Sequence, residues 1–146
     1  MLIDLGGIAK GHAVDMAVAA MQAAGAAQGI VNAGGDLRVF GPDAETIWLR
    51  RGDGQLGGSL DVRNLAVASS SNLLYRRTSR GADHSPHIGP ARKAMLTDHT
   101  ITVTAPTCVC ADAMTKIAMA DAALAERLLA KMDGQVIITP CLSEAA

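Results

Sequence analysis

The stretch "TITVTAPTCVCADAMTKIAMA", residues 100–120, constrains the fold more than any other part of the chain. It opens with a run rich in β-branched Thr, Ile and Val, which suits a pleated, half-buried surface and predicts a strand. Pro106 then ends the strand, since it has no N–H to offer a ladder. Residues 109–120 read as a helix. A strand that feeds directly into a helix places a sheet and a helix side by side, so an all-helical bundle and an all-strand barrel both become poor descriptions.

The remaining elements follow from the same kind of reading. Residues 2–5 read as the end of a strand and residues 8–24 as a helix, whose Ala13, Val14, Ala17, Val18 and Met21 recur on one apolar face. Gly25 is its stop signal. "GIVNAGGDLRVFG" reads as two short strands around a turn from Ala33 to Gly35, and Gly41-Pro42 ends the second. "TIWLRR" alternates as a half-buried strand does. Residues 58–63 and 65–69 read as two more strands. Residues 76–98 are rich in Gly, Pro, Ser and charge and read as one long loop, a length usually tied to function or mobility. "DAALAERLLAKM" predicts a second C-terminal helix with Asp121 as N-cap. Gly134 stops it, and "QVIIT" is a last strand. This order predicts one domain over residues 1–146, an α/β (α+β) sandwich whose largely antiparallel sheet carries packed helices.

Composition narrows the function. Hydrophobic residues make up 49% of 146, yet aromatics only 2%, so the core is built from Ala, Val, Leu, Ile and Met. Trp48, Tyr75 and Phe40 are too few for a base-stacking platform, and a net charge of −1 supplies no field for nucleic acid or an anionic membrane. No apolar run is long enough to span a bilayer. The opening residues lack the basic and apolar regions of a secretion signal, so the chain as written reads as cytoplasmic. Cys108, Cys110 and Cys141 are odd in number and lack metal or disulfide spacing, which makes them small apolar side chains.

Four stretches carry possible chemistry. In "DLGGIAKGHAVD", residues 4–15, Gly6, Gly7 and Gly11 let the backbone approach a ligand. The helix start that follows offers free N–H groups to a phosphate, with Lys10 adding charge. A tight packing turn accounts for the same glycines. "VNAGGDLRVFG" is a hairpin turn, and Asp36 behind it is either an exposed cap or a ligand contact. In "PTCVCADAMTK", Asp112 and Thr115 share a helical face as hard oxygen ligands suited to Mg²⁺, although both residue types also serve helix N-termini. Lys116, four residues after Asp112, can pair with it and oppose a dication. In "DHSPHIGP", His87 is either an exposed loop histidine without a role or, near a reacting hydroxyl, a general base suited to neutral pH.

Taken together and in order, "DLGGIAKGHAVD", "VNAGGDLRVFG", "AVASSS", "HIGP" and "TVTAPTCVCADAMTK" resemble the ApbE family, the FAD:protein FMN transferases. The resemblance covers nearly the whole chain but only the C-terminal half of the family's usual length, which reads as a truncated version of the T-fold-like ApbE architecture. It implies Mg²⁺-dependent transfer of FMN from FAD to a Thr hydroxyl of a target protein, with AMP released. It also places residues. Asp4, Lys10 and Ile88 fall on positions that contact FAD; the Gly7 carbonyl, Asp112 and Thr115 on metal-ligand positions; His87 on the base for the acceptor hydroxyl. Three departures accompany it. The family's usual Asp after the His-Ile pair is replaced within His87-Ile88-Gly89-Pro90; its A-T-S-G is Ala68-Ser69-Ser70-Ser71; and its last metal position, often Thr, is Lys116. The alternatives are a non-catalytic remnant, a nucleotide-binding module, or a subunit completed by a partner chain or a second copy. An open apolar strand edge or face left by a half-length fold predicts a homo-oligomer. Export is the alternative location if an N-terminal segment precedes this sequence. With half the family's contacts absent, FAD and Mg²⁺ are both expected to bind weakly.

Overall fold

A computed structural model of the chain describes residues 4–73 and 76–141. Helix α1 spans Ala9–Ala23. Five strands follow: β1 Gly29–Ala33, β2 Asp36–Phe40, β3 Glu45–Arg50, β4 Leu56–Val62 and β5 Ala66–Ser70. Then come β6 Arg77–Ser79, β7 Ala82–His84 and β8 His99–Ala105. The chain closes with α2 Cys108–Ala120, α3 Ala122–Leu129 and β9 Gln135–Pro140.

The main sheet has five strands in the order β1-β2-β5-β8-β9, and every neighbouring pair is antiparallel. Its centre is the pairing of β5 with β8, where Ala68 faces Val103 and Ala66 faces Ala105. These side chains point to the face covered by α2. They are small, so the helix can settle close, and Ala111, Met114 and Ala118 fill the space from its side. The opposite face carries Leu37, Val39 and Val67, and the β3–β4 hairpin covers it with Val62, Leu60 and Ile47. The sheet is thus the middle layer, with helices on one side and a hairpin on the other. That is the α+β sandwich expected from the order of elements.

Several local signals behave as expected. Gly34 and Gly35 both take positive φ, +67° and +100°, and Asn32 Oδ1 accepts the Gly35 N–H at 2.9 Å. This is the hairpin turn between β1 and β2. Gly25 closes α1 at φ +90°. Asp121 caps α3 by accepting the Leu124 N–H at 2.9 Å. The three cysteines are free thiols, and burial, aided by Asp36, Asp15 and Asp112, pushes that of Cys108 up to about 12.

Other expectations need correction. The segment 76–98 is not structureless: β6 and β7 form a short hairpin within it, and Ile88 bridges to Ala94. Both strands are fully exposed, so hydrophobic alternation was absent and only turn chemistry could have marked them. Helix α3 stops at Leu129, four residues before a left-handed Asp133, rather than running to Met132. The expected strand over residues 2–5 lies partly outside the described residues, and Asp4 and Leu5 are irregular. On α1, Val14 and Val18 are buried with Gly11, whereas Ala13 and Met21 are exposed.

The burial on α1 follows from how α2 meets it. A Cβ at Gly11 would lie 2.4 Å from the Cys108 carbonyl oxygen, so only glycine lets the start of α2 approach there. One turn on, Asp15 accepts the N–H groups of both Cys108 and Val109 at 2.9 Å. The carboxylate of α1 therefore caps α2, whose own N-cap Thr107 makes no such bond. Asp15 also binds Arg38 of β2 at 2.8 Å, which locks helix, helix and sheet at one point.

Candidate functional site

Two grooves open on the same end of the molecule, at the start of α1 and beside α2. One, of about 590 Å³, is lined by Lys10, the Gly34–Gly35 turn, Arg50, Arg51, Ser69–Ser71, Thr100 and Lys116. The other, of about 980 Å³, is lined by Asp4, Gly7, residues 86–90 and the outer side of α2. Gly6, Pro86, His87 and Lys116 line both, so these residues stand at the junction. All four quoted sequence stretches that suggested chemistry contribute here, although they are far apart in the chain.

The start of α1 differs from the expected cradle of free amides. Gly6 N–H donates to Asp4 Oδ1 at 2.8 Å, Ile8 and Ala9 both donate to the Leu5 carbonyl, and Gly11 N–H donates to Asp112 Oδ2 at 3.2 Å. Four of these N–H groups are thus already engaged by the protein, which leaves fewer of them free for an incoming anion. Lys10, just after the turn in sequence, is half exposed and pairs with the buried Asp36 of β2. Asp36 is neither an exposed cap nor a free ligand contact. Burial raises its pKa, while the bond from Lys10 works in the other direction.

The positions expected to hold a metal form the best-connected part of the site. Asp112 is fully buried, and its Oδ1 lies 2.5 Å from Lys116 Nζ. The pair is the i, i+4 contact that their spacing on a helix allows. Lys116 Nζ also donates to Ser70 Oγ at 3.1 Å. Thr115 Oγ1 donates to the Asp112 carbonyl at 2.8 Å and lies 2.8 Å from Ser70 Oγ. The stem of Lys116 passes along Gly7, where a Cβ would sit 3.5 Å from its Cε. Gly7, Asp112 and Thr115 are therefore brought together, with the Lys116 ammonium among them. This donor set does not fit a divalent cation as it stands. Each Asp112 oxygen and the Thr115 hydroxyl already has a hydrogen-bond partner, and a positive charge occupies the space. Among the described residues, no cluster of three or more His, Cys, Asp or Glu side chains could hold a metal.

His87 is half-buried at the junction of the grooves. Burial, and then the charge of Lys116, lower its pKa, so the imidazole is neutral near pH 7. Its neighbour Ile88 is 62% exposed on the wall of the larger groove, an apolar surface open to a flat ligand. Asp4 is exposed on the same groove. The reading from residues singled out neither Ser70, which joins Thr115 to Lys116, nor Asn72, whose amide donates to the Met95 carbonyl at 2.5 Å and so anchors the loop behind Ile88. Two polar residues at the end of a strand carry no local signal of such partners. Both partners lie far away in sequence.

Solved structures of similar shape include ApbE proteins, some of them flavin transferases by name. The ApbE protein of Thermotoga maritima superposes with a TM-score of 0.79 at 25% identity, over 93% of this chain and 48% of that one. The flavin transferase ApbE of Vibrio cholerae gives 0.71 at 20% identity, over 97% and 48%. The flavinyl transferase ApbE of Pseudomonas stutzeri gives 0.68 at 19%, over 94% and 49%. The chain thus spans about half the length of these neighbours. No curated protein matches its sequence. The sequence pattern of the ApbE family does match, over residues 1–138, and with the antiparallel sheet and the groove built from the same stretches, it shows that this chain belongs to the ApbE family.

Proposed function

We propose that the chain serves flavin transfer: it holds FAD in the paired grooves and passes FMN to a threonine hydroxyl of a target protein, releasing AMP. The observation that supports this best is the convergence of His87, Lys10, Lys116 and the Gly34–Gly35 turn on one pair of grooves, in a chain of the ApbE family. In this reading Ile88 and Asp4 face the flavin end of FAD in the larger groove. Lys10 and Lys116 face its phosphates. His87, kept neutral by burial and by Lys116, takes the proton from the acceptor hydroxyl as oxygen attacks phosphorus. The P–O bond to AMP breaks as the new one forms, and the flavin ends up in phosphoester linkage to the protein. No step is assigned to Mg²⁺, because the positions expected to hold it are taken by Lys116.

A second reading is that the site is completed by another polypeptide or by a second copy. Exposed apolar side chains around the groove support it: Leu5 is 56% exposed, Ile8 41% and Ile88 62%. Light scattering at micromolar concentration tests completion by a second copy, and a stable monomer argues against it.

The test of transfer is incubation with FAD and a threonine-containing acceptor protein, followed by in-gel flavin fluorescence and assay of AMP. Covalent flavin with matching AMP is the expected result, lost in His87→Ala. FAD cleaved without covalent flavin on the acceptor, or no reaction even at saturating FAD, removes the transferase reading. The purified chain is expected to be colourless, since any FAD is held weakly.

A further inference from the structure

We propose that the Lys116 ammonium is a built-in substitute for the divalent cation, so that this chain binds the pyrophosphate of a nucleotide without a metal ion. The second half of that statement rests on the nucleotide reading above; the first stands on geometry alone.

Three observations carry it. Lys116 Nζ sits where a cation shared by Asp112, Ser70 and the Gly7 turn would sit, 2.5 Å from Asp112 Oδ1 and 3.1 Å from Ser70 Oγ. An ammonium has three N–H donors. Two are used by these partners among the described residues, which leaves one for a ligand. Lys116 also lines both grooves, and its side chain is 27% exposed, so that donor faces the space a phosphate would enter. Finally, the Asp112 carboxylate is fully buried, and its second oxygen already accepts the Gly11 N–H. Mg²⁺ needs about six oxygens in tight octahedral order. Here it would have to expel the ammonium and strip Asp112 and Thr115 from their present partners. A tethered monovalent cation gives up charge but has no requirement for free ion. Lys10 and Arg50 on the adjoining groove add to the positive wall.

The test begins with Mn²⁺ titration followed by electron paramagnetic resonance, on the native chain, on Lys116→Thr and on the Asp112→Asn/Lys116→Thr double variant. The native chain is expected to take up no ion at submillimolar Mn²⁺. Lys116→Thr is expected to hold one ion about tenfold more tightly or better, and the double variant to lose it. A native chain that holds an ion as tightly as Lys116→Thr overturns the proposal, and so does a folded Lys116→Thr that gains nothing. If Lys116→Thr does not fold, melting of the native chain decides. Its Tm is expected to be the same in EDTA and in about 10 mM Mg²⁺, and a rise with Mg²⁺ overturns the proposal. Calorimetry with FAD and with ADP then reads the phosphate half. Native affinity is expected to differ less than about twofold between EDTA and Mg²⁺, while that of Lys116→Thr falls about tenfold in EDTA and recovers with Mg²⁺. Native binding that requires Mg²⁺ overturns the phosphate half. If neither nucleotide binds under any condition, the flavin reading and the phosphate half fail together, and the Mn²⁺ result still decides whether Lys116 displaces the metal.

Discussion

Two lysine–aspartate pairs flank the same groove and differ in almost every respect but composition. Lys116 and Asp112 are four residues apart on one helix; the aspartate is fully buried, and the lysine is a quarter exposed. Lys10 and Asp36 are 26 residues apart and join the start of α1 to β2; the aspartate is just as buried, but the lysine is half exposed. The first pair is tied further by Ser70 and by the Gly11 amide. The second has water on the lysine side. A buried carboxylate with one well-held partner is a fixed part of the fold. A half-exposed lysine, by contrast, can turn from its carboxylate to an anionic ligand at smaller cost. Lys116 is thus the more firmly held of the two cations, and Lys10 the more exposed.

The largest effect should come from breaking the inner pair alone. Lys116→Met leaves the buried Asp112 carboxyl without its counter-ion, and a loss of about 3–5 kcal/mol is expected in urea unfolding. Asp112→Asn/Lys116→Met removes both charges and should recover much of it. A single variant as stable as the native chain would show that Asp112 finds another partner, and that the inner pair is not structural.

The outer pair should matter less. Lys10→Met strands Asp36, but burial already raises the pKa of that carboxyl, so it can take up a proton and remain neutral. A loss of about 1–3 kcal/mol is expected. The sign of its pH dependence follows. A folded-state pKa above the unfolded value means that the native chain binds the proton more strongly. Relative to higher pH, the variant should therefore recover stability as pH falls toward the unfolded value of about 3.9. A variant whose stability instead falls steadily with acid over that window would rule out protonation of Asp36.

The smallest effect sharpens the comparison most. The charge of Lys116, not that of Lys10, acts on His87. In an NMR titration His87 should titrate below the usual imidazole value of about 6.5, move up in Lys116→Met and stay in place in Lys10→Met. Because the unfolded chain binds this proton more strongly, His87 contributes stability that is full above about pH 6.5 and is lost as pH falls below it. An equal shift in both variants would mean that His87 senses general charge rather than its neighbour.

The parts of this protein legible in the residues are those whose cause is local. Pro106 ends β8, Asp121 caps α3, and Gly34 with Gly35 makes the hairpin turn, each through a neighbour within four residues. The resemblance carried by the quoted stretches reached further and named several residues that line the grooves, among them Lys10, His87 and Ile88. It did not foresee that Asp36 would be buried, or that four of the amides around the start of α1 would be engaged by the protein itself. The β6–β7 hairpin escaped because neither strand buries a face, which is what gives a strand its alternating pattern.

What the sequence determined by itself is the contact between Lys116 and Asp112. Any helix over residues 108–120 puts those two side chains on one face, because 3.6 residues make a turn. What only the tertiary structure decided is where that pair lies and what surrounds it. Gly11 admits α2 across a separation of 101 residues to Asp112, Asp15 caps α2 from 93 residues away, and Ser70 meets Lys116 across 46. Helical periodicity is a property of a few consecutive residues. The meeting of α1, α2 and the end of β5 depends on strand register and on the close approach that small side chains permit, and no short stretch of sequence contains either.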